Sequence, residues 1–455
     1  MASLLLVLIV VVIAARMILK GYKAEPTLLM SGMILIFATG IFGWGPMLPA
    51  SVTSTNFSGF EPFKYIQFLM GYRAGALGLM IMALVGFADY MSHIGANDVV
   101  VRLATKPLSR IQNKNIMLFF AYCMASILQL AIPSATGLGV LLMGTLYPVM
   151  LGLGISRGSA AAVIASSLAV SFTPTGVDAI RASEALGMDL MSYVSHYQAP
   201  TSVATMVVIG IMHVIWQTQV DKTHPEQFEQ ASIEQTQKED VLAPSYYVIL
   251  PLLPIIMAVV FSKLVISTIN MDVTTIVFVS MFVAMLCECI TKRSLKAVFD
   301  GFNVFSKGMG SAFSSVVVLL VAAGVFAYGI QATGAITNLI MMAKSVGLPS
   351  VAMTFVFAVV TLMAAVIMGS GNAPFLAFVE LIPTIASSMG ANAAAMLMPM
   401  QQASAIGRAM SPVSAVVIAS ATGAKLSPFE VAKRTSVPVL VGFVFHFVIV
   451  YAFYS

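Results

Sequence analysis

The chain has 455 residues, of which 59% are apolar and 9% charged, against roughly 45–50% and about 25% in soluble domains. So little charge cannot cover the surface of a soluble fold this long. The excess is lipid-facing, the class is an all-α polytopic membrane protein, and secreted scaffolds, nucleic-acid modules and cytosolic enzymes are excluded. A net charge of +5 is too small and dispersed for DNA, and a cytoplasmic bias of Lys and Arg accounts for it.

In chain order, Ala2 to Met17 is apolar at once, with no basic leader and no small-residue cleavage site before Arg16, so it reads as a span. Further spans are expected near 26–45, 65–93 and 192–216, and an amphipathic helix over 98–112, with Arg102, Lys106 and Arg110 on one face, at the cytoplasmic interface. The shorter pieces 115–132, 138–153 and 157–171 are interrupted at Ser134-Ala135-Thr136-Gly137 and Thr173-Pro174-Thr175-Gly176. The hydrophilic stretch from Gln217 to Pro244 is a solvated connector. Beyond it come spans near 246–266, 272–290, 303–331 and 428–453, with short pieces 350–368, 375–389 and 392–410. Their breaks are Gly369-Ser370-Gly371-Asn372-Ala373-Pro374 and Ser411-Pro412-Val413-Ser414.

The halves repeat. Gly95 and Gly334, Pro148 and Pro383, Gly154 and Gly390, Pro174 and Pro412, Gly187 and Gly423, and Pro200 and Pro438 lie 239, 235, 236, 238, 236 and 238 residues apart. Paired interrupted segments are the sequence mark of a transporter. The expected organisation is a first repeat over 1–216 with a hairpin at 115–153 and a broken helix at 157–186, a cytoplasmic connector over 217–244, and a second repeat over 245–455 with a hairpin at 350–389 and a broken helix at 391–420. With each hairpin re-entrant, each repeat crosses the membrane five times, and an odd number inverts it. This topology gathers 17 of the 23 Lys and Arg residues on one side, which makes that side cytoplasmic and both termini external.

Irregular backbone at membrane depth survives only where protein or a water-filled cavity satisfies it. The breaks therefore mark the expected substrate-binding site: Ser134, Ala135, Thr136 and Gly137; Thr173, Pro174, Thr175 and Gly176; Ser370, Gly371, Asn372 and Ala373; Ser411, Pro412 and Ser414. Half-helix N-termini there can face an anion. Arg408, just ahead of the second break, offers the fork that suits a carboxylate, or else pairs internally with Glu380. Asp178 and Glu380 are the candidates for a coupling ion, proton or sodium, although Asp178 can also pair with Arg181. Asp89 and Glu288 lie near cytoplasmic span ends, where exposure is the plain expectation. Cys123, Cys287 and Cys289 read as packing residues. His93, His196, His213, His224 and His446 lack metal-ligand spacing, and no nucleotide-binding, nucleophile or zinc motif occurs, so neither an ATP-driven pump nor a cofactor is expected.

The stretches Gly86-Phe87-Ala88 with His93 to Asp98, Ser134 to Met143, Met368 to Phe375, and Ser427 to Val431 through Lys433 to Pro438 closely resemble the DcuC family of anaerobic C4-dicarboxylate carriers. The resemblance implies secondary transport of succinate, fumarate and malate across the bacterial inner membrane, with succinate efflux or exchange. It also implies kinship with an ion-transporter superfamily of homodimers, in which a scaffold domain supports an elevator-type transport domain bearing two hairpins. In related divalent-anion carriers the tips read Ser-Asn-Thr; here they read Ser134-Ala135-Thr136 and Ser370-Gly371-Asn372. The expected partners are a small dicarboxylate, membrane lipid and a second copy of the chain, with no nucleic acid. A carrier of another small organic anion on the same fold, and more distantly a membrane-embedded enzyme, are the alternatives.

Overall fold

Helices alternate with irregular breaks along the whole described chain. The computed structural model describes residues 2–20, 22–223, 243–261, 268–269, 271–335, 338, 341 and 349–454, and among these all regular structure is helical. Most of the connector expected over 217–244 lies outside the described residues. Seven described helices are long and apolar enough to cross a membrane, or eight if one bent pair counts as a single span.

Helices α1 (Ala2–Leu19) and α2 (Ala24–Phe42) open the chain. Helix α3 (Glu61–Arg73) then runs through a π-turn at Ala74–Gly78 into α4 (Leu79–His93). The expected amphipathic helix over 98–112 is shorter: α5 (Ala96–Thr105) stops before Pro107, and only a 3-10 turn, Leu108–Arg110, follows. The cause is Pro107, which lacks the N–H that would continue the ladder. Helix α6 (Lys114–Ile127) begins where the Asn113 side chain accepts from Asn115 and Ile116, and α7 (Ala135–Gly152) where Ser134 accepts from Gly137. Next come α8 (Arg157–Ala165), α9 (Val177–Ala185), α10 (Leu190–Tyr193) and α11 (Ala199–Asp221).

The second half gives α12 (Leu253–Val260), α13 (Val273–Lys292), α14 (Leu295–Ala312), a π-turn at Phe313–Val317 and α15 (Val318–Ala332). It ends with α16 (Ser350–Met368), α17 (Asn372–Phe378), α18 (Ile382–Met389), α19 (Ala393–Ala409), α20 (Ala415–Ala424) and α21 (Pro428–Tyr454). Helix α14 starts earlier than the run expected at 303, because Ser294 caps it and Val298, Gly301 and Phe305 already pack inward despite Lys296 and Asp300 between them. The π-turns at Ala74 and Phe313 start 239 residues apart, the spacing of the left-handed glycines Gly95 and Gly334.

Helix α2 lies along α15 and α4 along α14. Gly32 and Gly329 permit the first approach: a Cβ at Gly32 would lie 2.6 Å from the Phe326 backbone nitrogen. Phe87, Tyr90, Phe305, Phe326 and Phe375 belong to the core on that side. A second core, around Tyr122, Leu142, Leu146, Val417 and Phe443, joins α6, α7, α8, α11, α20 and α21. Outside, α1 exposes Leu5, Leu8 and Val12, and α13 exposes Phe282 and Ile290, apolar faces of the kind that suit lipid.

One expectation about a polar group is corrected, and two histidines prove to be interior. Glu288 is fully buried rather than exposed, accepting from the Tyr90 hydroxyl at 2.5 Å and pairing with Lys292 at 2.8 Å. His213 and His446 are interior, held by the hydroxyls of Ser166 and Thr205. In each case a partner distant in sequence supplies the hydrogen bond that makes burial tolerable.

Candidate functional site

Helix α8 ends at Ala165, well before Thr173-Pro174, so the expected helical piece 157–171 is corrected: the first break runs from Ser166 to Gly176. Its backbone is satisfied by side chains from other helices. The Leu168 carbonyl accepts from Arg408 Nη2 at 2.9 Å, Ala169 from Gln402 Nε2 at 2.6 Å, Val170 from Gln129 Nε2 at 2.9 Å, and Ser171 from the Ser202 hydroxyl at 2.6 Å. The Ser171 N–H donates to Gln402 Oε1 at 3.3 Å. Buried backbone groups without such partners would not survive desolvation.

Past the break, Asp178 sits in the first turn of α9, where the helix dipole favours a carboxylate. It accepts from Gln401 Nε2 at 3.0 Å and from the Ser171 hydroxyl, while Gln401 Oε1 accepts from the Tyr193 hydroxyl at 2.5 Å. The Asp178–Arg181 pair is not formed. Arg181 instead pairs with Glu184 at 2.6 Å and with Glu380. Arg73 joins the same cluster, 2.7 Å from Glu184 and 2.6 Å from Glu380, and so ties α3 to α9 and to the turn between α17 and α18. That pairing also removes Glu380 as a partner for Arg408.

The tip between α16 and α17 is set by Gly369, whose φ of 67° is left-handed and whose Cβ, were there one, would lie 2.9 Å from the Val413 carbonyl. The tip therefore rests on the second break. The break itself is tight: Ser411 Oγ accepts from the Val413 N–H at 3.3 Å, and Ser414 precedes α20 with no side-chain cap bond.

These pieces enclose a cavity of about 280 Å³ lined by Ser134, Thr173, Thr175, Gly176, Asp178, Gly371, Asn372 and Arg408, among others. A second cavity of about 250 Å³ shares Ser134, Gly371, Asn372 and Arg408 and adds Ala135, Thr136, Ser370 and Ser414. Both are smaller than most pockets for drug-sized ligands, which run roughly 300–1,000 Å³, and suit a small polar solute. The sites expected at Gly137, Pro174, Ala373, Ser411, Pro412 and Glu380 line neither cavity. Gly137 and Ser411 serve the turns themselves, Ala373 faces the neighbouring apolar cleft, and Glu380 belongs to the ion cluster. Gln129, Ser171, Ser404 and Asp89 also line the first cavity. Their one signal in the sequence was polarity inside apolar runs. Among the described residues, no three His, Cys, Asp or Glu side chains come together to hold a metal.

A polytopic helical bundle whose cavity gathers polar groups from helix breaks among apolar side chains, with a single arginine on its wall, defines a membrane carrier in class. The family model for C4-dicarboxylate anaerobic carriers, DcuC, matches residues 2–455, and the chain belongs to that family. The chain is 45% identical over 442 residues to the anaerobic C4-dicarboxylate transporter DcuC of Escherichia coli O6:H1, covering 97% of this chain and 95% of that one. The Shigella flexneri protein of the same name matches to the same extent. Among solved structures, Neisseria gonorrhoeae MtrF, described as illuminating a class of antimetabolite efflux pumps, aligns with a TM-score of 0.60 over 96% of both chains at 13% identity. That likeness concerns the fold. The family is one of transporters rather than enzymes.

Proposed function

We propose that the chain carries C4-dicarboxylates, succinate, fumarate and malate among them, across the bacterial inner membrane as a secondary transporter running succinate efflux or exchange. The observation that carries this reading is the convergence of Arg408, Asn372, Ser134 and Thr173 on one cavity. A dianion at membrane depth needs compensating charge and donors. Arg408 supplies the charge, and the hydroxyls and amide at both tips and breaks supply the donors. The two tips grip opposite ends of a roughly symmetric ligand.

In this reading the halves are inverted repeats of five spans and one re-entrant hairpin each, both termini are periplasmic, and two copies form a dimer. The paired π-turns and left-handed glycines support the repeat. Helices α2, α3, α4, α14 and α15 form the scaffold, and the tips and breaks ride as an elevator against it. Asp178 carries the coupling ion, proton or sodium, since Glu380 is already neutralised by Arg73 and Arg181. Counterflow of labelled succinate in proteoliposomes tests the function, with unlabelled fumarate, malate, sulfate and amino-acid derivatives as competitors. Competition by fumarate and malate alone supports it; preferential competition by another anion moves the assignment to that anion. Imposed pH and sodium gradients identify the ion.

A further inference from the structure

The four carbonyls of residues 168 to 171 have no helical N–H to accept from, yet each receives one side-chain donor, from four different residues on three elements. Leu168, Val170 and Ser171 stand on the wall of the first cavity, as does Gln129. We propose that Gln129 is a positioning residue that makes this wall selective for anions, by consuming the partial negative charge of the Val170 carbonyl, while Gln402 holds the Ala169 peptide behind the wall. The proposal rests on the transport reading above and adds a specificity role for one residue outside the expected site.

The residue type matters. A free carbonyl repels a carboxylate and is the usual ligand of a hard cation. Glutamine covers it with a donor that adds no charge, leaving the charge balance of a dianion to Arg408. Gln402 does more: its Nε2 holds the Ala169 carbonyl while its Oε1 accepts from the Ser171 N–H, so one amide bridges two peptide groups as a neighbouring strand would. Gln129 is 2% exposed, and its Nε2 also donates to the Ser126 carbonyl at 2.8 Å, which fixes it at the turn of its own hairpin. With one donor on each of four successive carbonyls, residues 168 to 171 present less negative potential to the cavity than bare carbonyls would.

A glutamine that merely satisfied buried backbone would stabilise the fold without regard to ligand charge. Repulsion from an uncovered carbonyl scales with that charge. The test uses the full-length protein in nanodiscs, with fumarate as the dianion and monomethyl fumarate as the monoanion, and compares the parent with Gln129→Met, which removes the donor at similar volume. Fumarate affinity is expected to fall about ten-fold and monoester affinity about three-fold or less, and the fall in melting midpoint from the two uncovered carbonyls is common to both ligands. Equal losses for both ligands, or no loss, overturn the proposal. Where the monoester is too weak to titrate, fumarate flux in proteoliposomes decides: a rise in KM with kcat held supports it and a fall in kcat with KM held overturns it. Gln129→Leu repeats the measurement at the Val170 carbonyl should Gln129→Met melt early. If the parent itself binds no fumarate, the transport reading fails; if the parent binds and both variants lose the two ligands equally, only the positioning role fails.

Discussion

Arg408 Nη2 donates to the Leu168 carbonyl at 2.9 Å, so the cation on the cavity wall is anchored to the unwound strand of the opposite half. One guanidinium nitrogen is spent on the backbone, which fixes the remaining donors in place. Arg408→Ala removes both the charge and the cap, and is expected to abolish measurable succinate flux. Truncating one partner of a buried charge pair costs about 2–5 kcal/mol, or a 30-fold or greater loss of affinity. Arg408→Lys keeps the charge without the planar fork and is expected to retain weak binding. Flux near the parental level in Arg408→Ala proteoliposomes would remove Arg408 from the site.

Asn372 lines both cavities from the first turn of α17. Loss of a hydrogen bond to a charged ligand costs about 1.5–3 kcal/mol. Asn372→Ala is therefore expected to lower succinate flux at least ten-fold, with insertion and melting unchanged. Ser414→Ala, on the wall of the second cavity only, gives the smaller loss if the ligand sits in the first.

Asp178 is held by Gln401 and the Ser171 hydroxyl, with no cation among its hydrogen-bond partners. Asp178→Asn conserves shape and one acceptor but cannot take up a proton or neutralise sodium. Counterflow of labelled succinate is expected to persist while uptake driven by an imposed pH or sodium gradient is lost. Retention of gradient-driven uptake would move ion coupling elsewhere.

Arg73, Arg181, Glu184 and Glu380 form a neutral cluster between α3 and the helices that carry the first break and second tip. Arg73 and Arg181 are buried while Glu184 is exposed and Glu380 half-buried, so removing one arginine leaves an uncompensated, partly solvated charge and costs less than the roughly 3–5 kcal/mol of a fully buried pair, whereas removing a balanced pair costs less still. Arg73→Met is expected to lower the melting midpoint clearly, and the double variant Arg73→Met with Glu380→Gln to recover most of it. A midpoint that does not move in the single variant would show that the cluster is well solvated.

Gly369 combines a left-handed φ of 67° with close approach to Val413. Gly369→Ala should cost about 1–2 kcal/mol from the backbone alone, plus displacement of the tip from the second break. Thermal melting reports the first effect and succinate KM the second.

Helix positions were largely legible because hydropathy and capping are local. The run 350–368 coincides with α16, and Pro107 and Ser294 fix helix limits by the N–H one lacks and the hydroxyl the other offers. The site was legible at its breaks, where Gly, Pro and Ser interrupt apolar runs. It was not legible at Gln129, Gln402 or Ser202, since a lone polar residue in an apolar helix announces a partner without naming it. The pairings went astray for the same reason: Asp178 and Arg181 are neighbours along the helix, but Glu380 lies 199 residues from Arg181 and competes successfully for it.

By itself, the sequence determined that this chain lives in lipid, that it is helical, that its halves share a spacing of breaks, and to which family it belongs, because each of these depends on composition, local pattern or residue identity along one strand. The tertiary structure alone decided which charges neutralise one another, how early the first helix unwinds, and which residues wall the cavity. Those outcomes turn on competition between groups hundreds of residues apart for the same few donors, and only folding brings the competitors together.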